Sequence, residues 1–151
     1  MRQTSGGWKT GKSLSANPKI LLVPVTGKEP EACQKMTGAL LAILNAKGYR
    51  VVVSSDSGQE TGAAALDHAA RDGSDYVLAG SLSKWGDDVE LTANLFEVST
   101  REEVASATHF ARRRTGHWPS DPEDFLPELA DCSLARIFGW APKVYVGDPP
   151  H

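Results

Sequence analysis

The sequence has 151 residues, of which 40% are hydrophobic and 23% charged, a length and balance typical of one soluble domain. Its formal net charge of -3 argues against the basic surface that nucleic-acid binding requires. The two cysteines are too few for a disulfide framework or a four-thiolate zinc site. No apolar run reaches the ~20 residues that span a membrane.

Residues 1–18 are rich in Gly, Ser, Thr and Lys and have no apolar period, which predicts a flexible lead-in. They lack the apolar segment of a secretory signal, so either the native protein has none or it has been removed. Gly6–Ser13 matches the phosphate-loop pattern GxxxxGK[S/T]. Such a loop needs a buried strand before it and a helix at its Lys, whereas here the preceding residues are few and polar and Pro18 interrupts the segment that follows. We interpret the match as chance and keep nucleotide binding as an alternative.

The next part of the chain alternates strands and helices. Short apolar runs predict three strands, and the first is continuous enough to be buried on both faces. Apolar residues at helical spacing predict one helix, and a Ser-x-x-Glu capping box opens another. The strands are at 20–25, 50–54 and 76–80, and the helices at 29–47 and 58–72. Short connections in this order predict a parallel or mixed sheet.

The pattern then becomes antiparallel. Residues 89–98 alternate apolar and polar side chains, which predicts a half-buried strand, and Glu103–Arg112 is its predicted partner. Asp121–Asp124 supplies a cap, a first-turn proline and acidic residues for a helix over 122–138. We therefore predict an α/β (α+β) fold, with a mixed sheet of about five strands and three helices in the order β-α-β-α-β-β-β-α. The domain would span residues 19–139, between the lead-in 1–18 and a C-terminal extension, 140–151.

No cluster of side chains in the sequence indicates catalysis or metal binding. The four histidines lack ligand spacing, and the acidic pairs fall in turns and at a helix cap. Cys33 and Cys132 lie on the first and last predicted helices. They are either two small buried residues or, in an oxidising compartment, a disulfide. We predict no cofactor, no metal and no enzymatic activity.

Several segments together form a pattern. They are Asp75–Leu78 on a strand, Trp85 in the turn that follows, the strand pair 89–98 and 105–112, and His117–Pro127 before the last helix. This pattern resembles a family of small bacterial envelope lipoproteins of unknown function. The wider likeness covers residues 18–139. It is to the αβ domain of the TolB amino-terminal region, the curli secretion lipoprotein and the penicillin-binding-protein activator lipoprotein. The turn 83–88 is shorter than in the family, and the family's lipid-bearing cysteine and signal are absent from this chain.

The resemblance implies a non-enzymatic periplasmic domain that binds a protein of a secretion, transport or wall-synthesis assembly. Membrane contact, at the outer membrane, would require an N-terminal anchor that is not in this chain, and no nucleic-acid partner is expected. We place the partner contact on the 84–88 turn and the 112–119 loop, with their tryptophans. The alternative, which the residues alone favour, is that these tryptophans are buried and close the ends of the sheet. The candidate residues are Trp85, Asp87, Arg112, Arg113, His117 and Trp118. A small-ligand-binding domain is a second alternative, and it predicts an apolar pocket between sheet and helices.

Overall fold

The computed structural model describes residues 3–54, 62–85, 88–112 and 126–142. In chain order the elements are β1 (Gln3–Trp8), β2 (Lys19–Leu22), β3 (Thr26–Gly27), α1 (Pro30–Ala46), β4 (Arg50–Val53), α2 (Gly62–Asp72), β5 (Tyr76–Trp85), β6 (Asp88–Glu97), β7 (Glu102–Arg112) and α3 (Leu126–Phe138). One mixed seven-stranded sheet has the order β1-β7-β6-β5-β2-β4, and β3 pairs with β5 off this path. The predicted fold class, the three helices and the five predicted strands are confirmed, and β1 and β3 are additional. The capping residues 57–60 and 121–124 lie outside the described residues.

The strand β2 lies between two parallel neighbours, β4 and β5. Its alternate side chains enter two different cores, since Ile20 and Leu22 pack with α1 and α3 whereas Leu21 and Val23 pack with α2. The prediction that this strand is buried on both faces is therefore confirmed. The helices α1 and α3 cover one face of the sheet and α2 covers the other, a three-layer arrangement.

The prediction that residues 1–18 form a flexible lead-in is wrong for residues 3–8. These residues form β1, which pairs antiparallel with β7 along its whole length. The indole N–H of Trp8 donates to the carbonyl oxygen of Ile137 at 2.6 Å, and the Trp8 ring meets Tyr76 edge-on at 6.3 Å between centroids. The first strand is therefore held by the last helix.

The close approach of the β1 and β7 backbones at Gly6 is one reason why β1 could not be recognised from the sequence. Gly6 has a positive φ of 108°, and a Cβ at this position would overlap the carbonyl oxygen of Ser106 on β7. Only glycine fits at this position. Gly6 therefore adds no side chain to the alternating apolar pattern by which a strand is recognised. Among the described residues, no helix is both long and apolar enough to cross a membrane.

Candidate functional site

Among the described strands, the neighbours β2 and β5 form a topological switch point, because the connections that follow them run to opposite sides of the sheet. The chain leaves β2 through α1 toward β4, whereas it leaves the adjacent strand β5 toward β6 on the other side. In open α/β sheets, ligands bind outside the carboxyl ends of strands at such a switch point. A cavity of about 350 Å³ lies here, lined by Thr26–Glu29 after β2, by Cys33 of α1 and by Ser81–Ser83 of β5. We call it the switch-point cavity.

The floor of the switch-point cavity is apolar and its walls are polar. Cys33 and Leu82 are each 6% exposed, whereas Lys28, Glu29 and Ser81 are exposed. The cavity thus lies between the sheet, at β5, and the helix α1.

Gly27 keeps this cavity open. A Cβ on Gly27 would lie 2.6 Å from the carbonyl oxygen of Leu82 and 2.8 Å from Sγ of Cys33. Both distances are shorter than van der Waals contact, so a side chain at Gly27 would displace β3 or fill part of the switch-point cavity. The absence of a side chain is thus part of the shape of the cavity.

The Cys33 thiol is not set up as a nucleophile. Burial raises its pKa, the nearby charge of Glu29 raises it further, and a hydrogen bond with the Glu29 backbone acts in the opposite direction. A raised pKa keeps the sulfur protonated at neutral pH, which is the unreactive form. In the structure no disulfide joins Cys33 and Cys132, and their pairing in an oxidising compartment stays a prediction.

Two of the predicted partner-contact residues, Trp85 and Arg112, lie in the described part of the chain. Trp85 at the end of β5 pairs with Asp88, and Asp88 pairs with Arg112 at the end of β7. The backbones of Trp85 and Arg112 therefore lie at the same end of the sheet, with Asp88 of β6 between them. The other candidates, Asp87, Arg113, His117 and Trp118, lie outside the described residues. The switch-point cavity lies near the same end, since it reaches Ser83 on β5.

A buried polar cluster was not found from the sequence. His109, which the sequence placed only on a strand, has Nδ1 2.6 Å from the Thr4 hydroxyl and Nε2 3.0 Å from a Glu128 carboxylate oxygen. A hydroxyl, an imidazole and a carboxylate in a row are the groups of a catalytic triad. However, His109 and Glu128 are 2% and 4% exposed, and the switch-point cavity is lined by none of the three. We interpret the cluster as a structural connection of β1, β7 and α3.

The phosphate-loop match does not have the geometry of a phosphate loop. Its first residues, Gly6–Trp8, belong to β1, and the first helix after it starts only at Pro30. Its lysine, Lys12, donates to Glu97 at 3.1 Å. This agrees with the interpretation of the match as chance. In the described part of the chain, no group of His, Cys, Asp and Glu is arranged to hold a metal ion.

Comparison with solved structures identifies the fold. PelC from Paraburkholderia phytofirmans, a dodecamer, has a TM-score of 0.69 at 23% identity, covering 91% of this chain and 99% of PelC. Lipoprotein GNA1162 from Neisseria meningitidis has a TM-score of 0.58 at 19% identity, covering 74% and 91%. The LpoB C-terminal domain from Escherichia coli has a TM-score of 0.53 at 20% identity, covering 69% and 90%. The chain has the αβ fold of these three bacterial proteins. The resemblance drawn from the sequence is thus confirmed at the level of the fold.

Sequence comparison adds little. No family model matches the chain. A G-type lectin S-receptor-like serine/threonine-protein kinase from Arabidopsis thaliana is 37% identical in an alignment 79 positions long, which covers 43% of this chain and 9% of the kinase. The chain thus spans less than a tenth of that curated relative, and the match indicates no shared activity.

Proposed function

We propose that this protein is an accessory domain of the bacterial cell envelope that acts by binding a partner protein and not by catalysis. The observation that carries the proposal is the likeness to PelC, which spans 91% of this chain and 99% of the PelC chain. A likeness over the whole domain supports a shared type of role, although fold alone does not specify which partner is bound.

The proposed contact surface is the end of the sheet where β5, β6 and β7 meet. Trp85 and Arg112 mark its two described borders. Asp87, Arg113, His117 and Trp118 lie two to six residues after them in the sequence or next to them. Tryptophan and arginine are enriched among the residues that contribute most to protein interfaces, which supports this choice of surface.

We place the domain in the periplasm, and at the outer membrane if the native protein carries an N-terminal lipid anchor. The lipoprotein GNA1162, whose fold this chain shares, supports this location. Copies of this chain are one candidate partner, because PelC is a dodecamer. Light scattering on the purified protein tests self-assembly, since a monomer has a mass of 16.2 kDa.

The decisive experiment is affinity purification of the native gene product from its own cells, followed by mass spectrometry. We expect stoichiometric recovery of envelope proteins, and we expect Trp85→Ala and Trp118→Ala to weaken that recovery without lowering the melting temperature. Glu102→Ala, an exposed change at the opposite end of β7, is the control and should have no effect. Recovery of cytosolic partners, or of the bare protein from the cytosol, contradicts the proposal. If both tryptophan variants unfold, the tryptophans belong to the core.

A further inference from the structure

The edge of β5 beyond Leu82 and the adjoining switch-point cavity form one continuous surface. We propose that this surface binds an extended peptide segment of the partner protein, which adds to β5 as a further strand. The inference rests on the proposed function, because it specifies how the partner is recognised.

The first step of the argument is that β5 is longer than the strands beside it. On its parallel side, β2 pairs with residues 76–78 and β3 pairs with residues 81–82. The strand itself continues to Trp85. Within the described ranges, no strand covers residues 83–85 on this side, although β6 pairs with them on the other.

The second step identifies the backbone groups that face this edge. The carbonyl oxygen of Leu78 accepts a hydrogen bond from Val23, and that of Gly80 accepts one from the Thr26 hydroxyl. Peptide groups of alternate residues point to the same side of a strand. The N–H and C=O of Lys84 therefore point away from β6, toward the uncovered edge. Such an edge is a template for another strand, and an extended peptide is the ligand that matches it.

The third step is the cavity beside the edge. Strand addition takes its specificity from pockets for alternate side chains of the bound peptide. The switch-point cavity offers an apolar floor of Cys33 and Leu82 beside this edge. Its volume of about 350 Å³ is sufficient for an apolar side chain of the peptide. The expected ligand is therefore an extended segment with an apolar residue between polar ones.

The test is selection of ligands from a phage library of random ten-residue peptides on the immobilised full chain. Enriched peptides are synthesised and titrated against the wild type, Lys84→Pro and Lys84→Ala. Proline removes the N–H that faces the open edge and leaves the pairing with β6 intact, whereas alanine retains this N–H. We expect Lys84→Pro to bind about tenfold more weakly than Lys84→Ala, which corresponds to the loss of roughly one backbone hydrogen bond.

A second readout does not depend on any variant folding. In the wild-type complex, hydrogen exchange followed by NMR should show slower exchange of the Lys84 amide, because strand addition gives this N–H an acceptor. If no peptide is enriched, or if bound peptides leave Lys84 exchange unchanged, the inference is wrong. It is also wrong if the wild type self-associates and Lys84→Pro is monomeric, because a second copy then occupies the edge. Each of these results leaves the proposed function standing, since the partner purified from cells would then bind elsewhere.

Discussion

The Nε2 atom of His109 lies 3.0 Å from the Oε2 atom of Glu128, and the two side chains are only 3% and 4% exposed. The second ring nitrogen lies 2.6 Å from the Thr4 hydroxyl. The three residues come from β7, α3 and β1, which are far apart in sequence. A buried polar group that loses its partner pays the full desolvation penalty, so this cluster makes the docking of β1 depend on the placement of α3.

The cluster can be tested by removing its central ring. His109→Ala should lower the free energy of unfolding by about 3 kcal/mol or more, because it leaves a cavity and deprives two polar groups of their partner. Thr4→Val removes one hydrogen bond and should lower it by about 1 kcal/mol. Urea unfolding measures both.

The matched control for Thr4→Val is Thr92→Val. The Thr92 hydroxyl lies 3.3 Å from that of Thr108 in a half-buried pair on the sheet, where water can replace the lost contact. We expect a change of about 0.5 kcal/mol or less. If His109→Ala is no more destabilising than Thr92→Val, the cluster does not hold β1 to α3.

Two glycines should respond to alanine in opposite directions. Gly6→Ala places a methyl group against the Ser106 backbone at a positive φ, so we expect β1 to detach and the melting temperature to fall. Gly38→Ala lies inside α1 with no heavy atom within 4 Å of the added Cβ. It should stabilise the protein by about 0.5–1 kcal/mol through helix propensity. Calorimetry checks both, and a stable Gly6→Ala protein would show that β1 tolerates a side chain at this approach.

The fold could be predicted where the side chains form a recognisable apolar or helix-capping pattern. The five predicted strands and the three helices follow from short apolar runs, from the alternation over residues 89–98, from apolar residues at helical spacing and from capping residues. The strand β1 could not be predicted, because it is held by backbone pairing at Gly6 and by the Trp8 indole, and neither produces a repeating apolar pattern. The short strand β3 has only two residues, which is too few for any period.

Less of the candidate site than of the fold could be predicted from the sequence. The residues Trp85 and Arg112 could be placed at one end of the sheet, because hairpin strands have a fixed register. The switch-point cavity joins residues near Gly27 to residues near Leu82, and this proximity depends on which strands are neighbours. The Thr4–His109 contact likewise depends on β1, so missing the strand meant missing the cluster.

The two thiols should differ in reactivity. Cys33 is buried and its pKa is raised by that burial, whereas Cys132 is partly exposed. With Ellman's reagent and no reductant, we expect both to react, with Cys33 the slower because less of it is thiolate and less is accessible. The single variants Cys33→Ala and Cys132→Ala assign the two rates. Absence of reaction until the protein is reduced would instead indicate the disulfide that the sequence left open.

The contact between Lys12 and Glu97 predicts a pH dependence of stability. Hydrogen bonds from the Thr100 hydroxyl and the Lys12 ammonium hold the pKa of Glu97 below its ordinary value of 4.5. Because folding lowers this pKa, the unfolded chain binds the proton more readily. The contact therefore stabilises the fold at neutral pH and is lost as the pH falls below 4.5 through the folded-state pKa.

The Lys12→Ala variant measures this contribution. At pH 7 we expect a loss of about 0.2–1 kcal/mol, since the two side chains are partly exposed and water screens the pair. The difference between wild type and variant should shrink toward zero below the pKa of Glu97, and it should also shrink in 1 M salt, where the screening length is about 3 Å. Lys9→Ala removes a positive charge from the same segment without removing the contact, so it controls for net charge. Equal effects of Lys9→Ala and Lys12→Ala at every pH would show that overall charge, and not the bond to Glu97, sets the pH dependence.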